Sequence, residues 1–178
     1  MEPTIEVNGK SFEALITPQE IEQKVRELAQ QLEQDLGGKD PLLVCVLNGA
    51  LYFAADLTRM LNFPCELTSV KVASYTGMES GEIKETAQIK ENIENRDVVI
   101  LEDIVDTGKT AAYLKKQLIE NRASSVSLMT VFFKKEALEK DLTPDYIGFE
   151  VPNNFLIGYG LDYDKRGRNL KGVYKLKN

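Results

Sequence analysis

The chemistry in this sequence is concentrated between residues 102 and 110, where Glu102, Asp103 and Asp106 are followed by Thr107, Gly108, Lys109 and Thr110. Gly108 leaves room for a backbone to wrap closely around a ligand. At a helix start, the free N–H groups of Thr107 to Thr110 would point at an anion. The natural guest is a phosphate. Neighbouring carboxylates repel a bare phosphate, so the ligand must bring Mg²⁺ or carry sugar hydroxyls that donate to Glu102 and Asp103. A phosphorylated sugar meets both demands. Gly108, Lys109 and Thr110 also spell the end of a Walker A loop, but the glycine required five positions earlier is Asp103, and the spacing rejects that reading. A plain turn with an acidic rim is the structural alternative that spacing alone leaves open.

Such a turn needs a strand to deliver it and a helix to receive it. Val98, Val99, Ile100 and Leu101 form an unbroken aliphatic run that suits a strand buried on both faces, and Ala111, Ala112, Leu114 and Leu118 mark a helix. The reading is strand, acidic loop, helix start. The same grammar recurs at Leu42 to Leu47, where Asn48 and Gly49 lead into a helix bearing Leu51, Phe53, Leu57 and Leu61. Ligands gather at the carboxyl ends of strands in open parallel sheets, so Asn48 and Gly49 are expected near Asp103, with an ordinary strand-helix turn as the alternative.

Cys65 to Ser74, Ser125 to Phe133 and Tyr146 to Phe149 read as further strands, and the polar stretch from Tyr75 to Gln88 as a solvated hairpin or a lid. Thr17-Pro18-Gln19-Glu20 opens a helix with a capping box, and Ile21, Val25, Leu28, Leu32 and Leu36 give it one apolar face. Residues 1–16 read as a short strand around Ile5 and Val7 plus loops, with a turn at Asn8-Gly9 and no legible function. The alternation predicts an α/β fold, a doubly wound, mostly parallel sheet, over a single domain of residues 1–178. The two chain ends should make a small hood above the ligand edge.

Composition narrows the chemistry. The chain has no histidine, which excludes a Ser-His-Asp triad, a Cys-His pair and a His-ligated metal, and leaves acid-base work to Asp, Glu, Lys or Tyr. Oxygen ligands alone point to a hard cation such as Mg²⁺. A net charge of −6 disfavours a general nucleic-acid surface and favours a small-molecule partner. No stretch is long and apolar enough for a membrane span, the first residues do not resemble a signal peptide, and two cysteines, Cys45 and Cys65, make no disulfide framework. A cytoplasmic protein that does not engage a membrane is the expectation.

LEDIVDTGKT at 101–110 resembles the phosphoribosyl pyrophosphate (PRPP) signature of the type I phosphoribosyltransferases: apolar residues, two acids, two apolar residues, Asp-Thr-Gly, then Thr. Within that family the chain is similar to the hypoxanthine-guanine phosphoribosyltransferases. Ordered matches include LNGALYFAADL at 47–57, Ser74-Tyr75, Phe133-Lys134-Lys135 and GFEVPNNFLIGYGLDYDKRGRNL at 148–170. The resemblance implies transfer of the 5-phosphoribosyl group from PRPP to N9 of a 6-oxopurine, hypoxanthine or guanine, in purine salvage.

It also implies residue roles. Glu102 and Asp103 hold the ribose hydroxyls, while residues 106 to 110 (Asp106, Thr107, Gly108, Lys109 and Thr110) surround the 5′-phosphate. Asn48, Gly49 and Arg168 contact pyrophosphate, although the lysine usual in that loop is Asn48 here, which leaves the contact to backbone groups. Lys134 donates to the purine 6-oxo group, Phe155 stacks on the ring, Leu156 offers backbone contacts and Asp162 lies beside base and metal. Mg²⁺ falls to Glu102, Asp103 and Asp162. Ser74 and Tyr75 form the base of a lid, and Asp106 is the general base. Similar enzymes form homodimers or homotetramers. A PRPP-binding regulator of the same fold and an enzyme preferring xanthine are the alternatives.

Overall fold

The computed structural model describes residues 4–74, 83–87 and 89–177, with 73–74 and 83–87 described by backbone alone. The chain opens with a hairpin, β1 (Thr4–Val7) against β2 (Lys10–Ile16). Its two-residue turn places Asn8 at φ 50° and Gly9 at φ 74°, the left-handed backbone that an Asn-Gly pair favours. Residues 10–16 are thus a strand rather than the expected loop. Phe12, Ala14 and Ile16 alternate correctly, but the adjacent apolar Leu15 blurs the period in the sequence.

Helix α1 (Pro18–Leu36) starts where the capping box requires: Glu20 N–H donates to the Thr17 hydroxyl at 3.3 Å and Thr17 N–H to the Glu20 carboxylate at 2.8 Å. Its expected face, Ile21 to Leu36, is buried. Strand β3 (Leu42–Leu47) leads to α2 (Leu51–Met60). Of the four apolar residues expected on this helix, Phe53 and Leu57 form its inward face together with Ala54. Leu51 lies two residues, about 200° of helix, from Phe53 and is exposed, and Leu61 falls beyond the last turn.

Strand β4 (Glu66–Ser74) pairs antiparallel with β5 (Ile83–Ala87), so the later part of the segment expected as hairpin or lid is a strand paired with the strand before it. Residues 75–82 and 88 lie outside the described residues. Then follow β6 (Asp97–Val105), α3 (Lys109–Glu120), β7 (Ser125–Phe133), β8 (Tyr146–Glu150), β9 (Leu156–Ile157) and β10 (Val173–Leu176).

The larger sheet has the order β5-β4-β3-β6-β7-β8, parallel except at β5. Helices cover both faces. α1 and α2 pack on Val99, Leu101 and Phe132, and α3 packs on Val98, Ile100 and Leu128. The chain ends form the antiparallel sheet β1-β2-β10-β9, the expected hood. It shares the first of these cores through Leu156, Tyr159 and Val173. The Tyr159 hydroxyl also donates to Asp56 of α2 at 2.8 Å, and burial followed by that acceptor raises the phenol's pKa. Among the described residues no helix is long and apolar enough to cross a membrane.

Candidate active site

β6 is longer than its aliphatic run. Glu102 and Asp103 are strand residues, and the connection to α3 shrinks to Asp106, Thr107 and Gly108, a correction to the acidic loop expected from sequence. Strand geometry then sends neighbours to opposite faces. Asp103 follows Val99 and Leu101 to the side of α2, where a Cβ added to Gly49 would overlap its carboxylate. Glu102 follows Val98 and Ile100 to the side of α3 and is only 6% exposed.

Both acids are held above the usual carboxylate range. Burial raises Glu102 strongly, with Asp103's charge adding to it. Burial raises Asp103 to about 6, opposed by hydrogen bonds from backbone N–H groups and by Arg168, and reinforced by Asp162. A cationic or hydroxyl-rich ligand would relieve both.

The turn after β6 encloses a cavity of roughly 220 Å³ lined by Val46, Val72 and residues 102–111. Gly108 stands at φ 77° as the N-cap of α3, and a Cβ there would come within 2.9 Å of Leu138. Only glycine meets both conditions without strain. Thr107 C=O accepts from Glu139 N–H at 3.1 Å, which pins the turn, and Lys109 pairs its ammonium with Glu139 at 2.6 Å. The groups at this turn able to receive an anion are the backbone N–H donors and the hydroxyls of Thr107 and Thr110, at the positive end of the α3 dipole.

Two further groups converge on the carboxyl edge of the sheet. At the end of β7, Lys134 is buried (8% exposed) and its ammonium lies 3.3 Å from the Asp106 carboxylate. At the β3 end, the Leu47-Asn48 peptide is cis, Asn48 is exposed, and Gly49 lies between Asp103 and Gly160. A Cβ on Gly160 would strike the Gly49 carbonyl. Arg168 donates to Gly160 C=O at 2.6 Å and pairs with Asp162 at 2.6 Å, while Asp162 also accepts from Lys165 N–H at 2.7 Å. Gly49, Asp103, Asp162 and Arg168 therefore form one neighbourhood, and Asp106 and Lys134 a second beside it.

The hood contributes Phe155, 46% exposed and in edge contact with Tyr163 at 5.6 Å, and Leu156, whose side chain is buried so that only its backbone could face a ligand. Ser74 closes β4, whereas Tyr75 lies outside the described residues. Among the described residues no three Cys, Asp or Glu side chains converge tightly enough to hold a metal by themselves. Cys45 is buried below the acids, and burial with their charges pushes its thiol up to about 11, which suits an inert core residue. Sequence reasoning missed Gly160 and Tyr163. The Gly-Tyr-Gly run at 158–160 was the available signal for the first.

The parallel sheet thus has a central strand ending in an acidic turn at a helix N-terminus, with the antiparallel hood packed beside it. The family model of the phosphoribosyl transferase domain matches residues 11–164, and the chain belongs to that family. It is 45% identical over 165 residues to the hypoxanthine-guanine phosphoribosyltransferase of Streptococcus thermophilus, covering 92% of each chain. Among solved structures it resembles the hypoxanthine phosphoribosyltransferase of Staphylococcus aureus (TM-score 0.89, 32% identity, 93% of this chain and 91% of that one). It also resembles that of Trypanosoma cruzi in complex with the product IMP (TM-score 0.88, 34% identity, 97% of each chain).

Proposed function

We propose that this protein is a purine salvage enzyme that transfers the 5-phosphoribosyl group of PRPP to N9 of hypoxanthine or guanine, forming IMP or GMP and pyrophosphate. The observation that carries this reading is the Lys134-Asp106 pair beside the anion-binding turn. One donor and one acceptor, both at strand ends, match the 6-oxo oxygen and the N7 proton of one purine edge.

The residues divide the work. Backbone N–H groups of Thr107 to Thr110 hold the 5′-phosphate, and Glu102 and Asp103 accept from the ribose hydroxyls. Asn48 and Gly49 backbone, with Arg168, face pyrophosphate. As that group departs, positive charge develops on the ribose, an oxocarbenium-like state also met in glycoside hydrolysis. Burial keeps the acids close to that charge. Asp106 takes the N7 proton as N9 attacks, Lys134 donates to the 6-oxo oxygen, Phe155 stacks on the ring and Leu156 offers backbone groups to its edge. A purine with an amino group at C6 leaves Lys134 without its acceptor, so adenine is a poor substrate.

The donor set fits Mg²⁺. Asp103 and Asp162 are carboxylates close enough for one to act on the other, and Mg²⁺ is commonly held by one or two carboxylates, with waters and substrate phosphates filling the rest. Glu102 lies on the other strand face, where contact through water suits it better than direct ligation. When bound, the ion supplies charge neutralisation for the leaving pyrophosphate. The protein is further proposed to act in the cytoplasm as a homodimer or homotetramer, with exposed Leu51 and Tyr52 on α2 as apolar surface for a second copy. Sedimentation velocity of wild type and Tyr52→Glu would check this.

The test is direct. Purified protein with PRPP and Mg²⁺ is given hypoxanthine, guanine, xanthine and adenine separately, and nucleotide formation is followed with and without chelator. Turnover of hypoxanthine or guanine that stops in chelator supports the reading. Turnover of xanthine alone selects the xanthine enzyme, and none at all favours a PRPP-binding regulator.

A further inference from the structure

Besides its pairing with β10, the N-terminal hairpin reaches the base side of the site through the ring of Tyr163. Tyr163 meets Phe155 edge-on, with centroids 5.6 Å apart and planes at 80°. It also contacts Phe12 of β2 at 6.2 Å and 55°. Phe12 is fully buried, so it is a fixed support. The Lys10 ammonium lies 5.4 Å from the centre of the same tyrosine ring, and Asn8 Nδ2 donates to Tyr163 C=O at 3.2 Å. Tyr163 and Arg166 close their turn with two backbone hydrogen bonds, of 2.8 and 3.0 Å. Among the described residues, these ring and hydrogen-bond contacts of Tyr163 other than that with Phe155 run to its own turn or to the hairpin.

Phe155 is held less firmly. Its C=O accepts from Leu176 N–H at 2.9 Å, but its ring is 46% exposed, and among the described residues Tyr163 is the one aromatic ring against it. A half-exposed phenylalanine at a strand end samples several rotamers unless a neighbour selects one. An edge contact selects one while leaving at least one ring face open.

We propose that Tyr163, braced by Phe12, is a positioning residue that fixes the Phe155 ring with a free face toward the purine. This gives the N-terminal hairpin a role in base binding. It rests on the reading of Phe155 as the purine-stacking residue. Ordering the ring before the base arrives removes that entropic cost from binding. Aromatic pairing and rotamer ordering each correspond to roughly 2- to 10-fold in affinity.

Steady-state kinetics on Tyr163→Leu, Tyr163→Phe, Phe155→Ala and the double variant Tyr163→Leu/Phe155→Ala test the proposal. Tyr163→Leu should raise KM for hypoxanthine about 3- to 10-fold, with kcat and the KM for PRPP within twofold of wild type. Tyr163→Phe keeps the edge contact and should restore the purine KM. In the Phe155→Ala background, Tyr163→Leu should add nothing. A normal purine KM in Tyr163→Leu, with a raised one in Phe155→Ala, overturns the proposal and leaves stacking intact. An unchanged purine KM in Phe155→Ala overturns stacking and the proposal together. A KM for PRPP that rises in step with that for purine overturns it in favour of general support for the adjacent Asp162. If Tyr163→Leu does not fold, Phe12→Leu, which keeps an apolar residue in the core, is read by the same criteria.

Discussion

In the proposed reading, the phosphate side of the cleft is made by consecutive residues, 102–110, running off one buried strand onto one helix, whereas the base side is assembled from Lys134 just after β7, Phe155 and Leu156 in the hood, and Tyr163 behind them. The first side is covalently ordered. Its donors are backbone N–H groups whose directions follow from Gly108 and the first turn of α3, and Glu102 and Asp103 are buried enough to be shifted upward. The second side consists of side chains on separate elements, one of them half exposed. Substitutions on the first side should therefore affect chemistry, PRPP and stability, and those on the second mainly the purine.

The largest effect is expected where the two sides touch. Asp106→Asn keeps the shape of the turn and its N–H groups, so PRPP affinity should change little. Loss of the general base should lower kcat by about 10²- to 10⁴-fold. A kcat within a few-fold of wild type, with weakened PRPP binding instead, would make Asp106 a turn-shaping residue only.

Gly49→Ala comes next. Its Cβ would overlap the Asp103 carboxylate, so the acid or the loop must move, and a displacement of about 1 Å in a positioned group can cost on the order of 10²-fold. kcat/KM for PRPP should fall by roughly 10- to 100-fold while the KM for purine holds. Equal losses for both substrates would show that the two sides are not separable there.

Asp103→Asn should act on stability in the opposite direction from activity. The folded-state pKa of Asp103 lies near 6, above the unfolded value, so between about pH 4 and 6 the folded state holds a proton that the unfolded chain has released. Stability of the ligand-free protein therefore falls as pH rises through that window, and the upward shift of Glu102 has the same sign. Removing the carboxylate should raise Tm at pH 7.5, by an amount equivalent to about 1–3 kcal/mol, and flatten the fall of Tm between pH 4 and 6. Thermal melts across pH check this, and a lowered Tm at pH 7.5 would contradict it. The smallest effect belongs to Lys109→Ala. Its pair with Glu139 is half exposed, so the loss should be about 0–1 kcal/mol in stability with PRPP affinity nearly unchanged, as PRPP titration and melts would register.

The same contrast explains what the sequence disclosed. The acidic turn, its glycine and the strand before it are adjacent in the chain, and their residue types report their chemistry directly. The capping box of α1 and the parallel strands were legible for the same local reasons. Three things were not. The continuation of β6 through Glu102 and Asp103 was hidden because acids are poor strand formers, and here tertiary burial overrides that preference. β2 was hidden by the doubled apolar pair Leu15-Ile16. The base side, scattered between residues 134 and 163, was reachable only through family resemblance, and Phe155 or Asp162 taken singly would read as core and turn residues. Tyr163 lies within the matching segment but carried no role from it, and its partner Phe12 is 151 positions away.

The division of the cleft into a PRPP side and a purine side is tested most directly by Lys134→Ala, with the KM for hypoxanthine and for PRPP measured on the same preparation. Loss of one charge-assisted hydrogen bond, about 1.5–3 kcal/mol, predicts a purine KM raised roughly 10- to 150-fold with the KM for PRPP within twofold of wild type. Equal increases in both would contradict the account, because Lys134 would then serve Asp106 and the phosphate turn rather than the base.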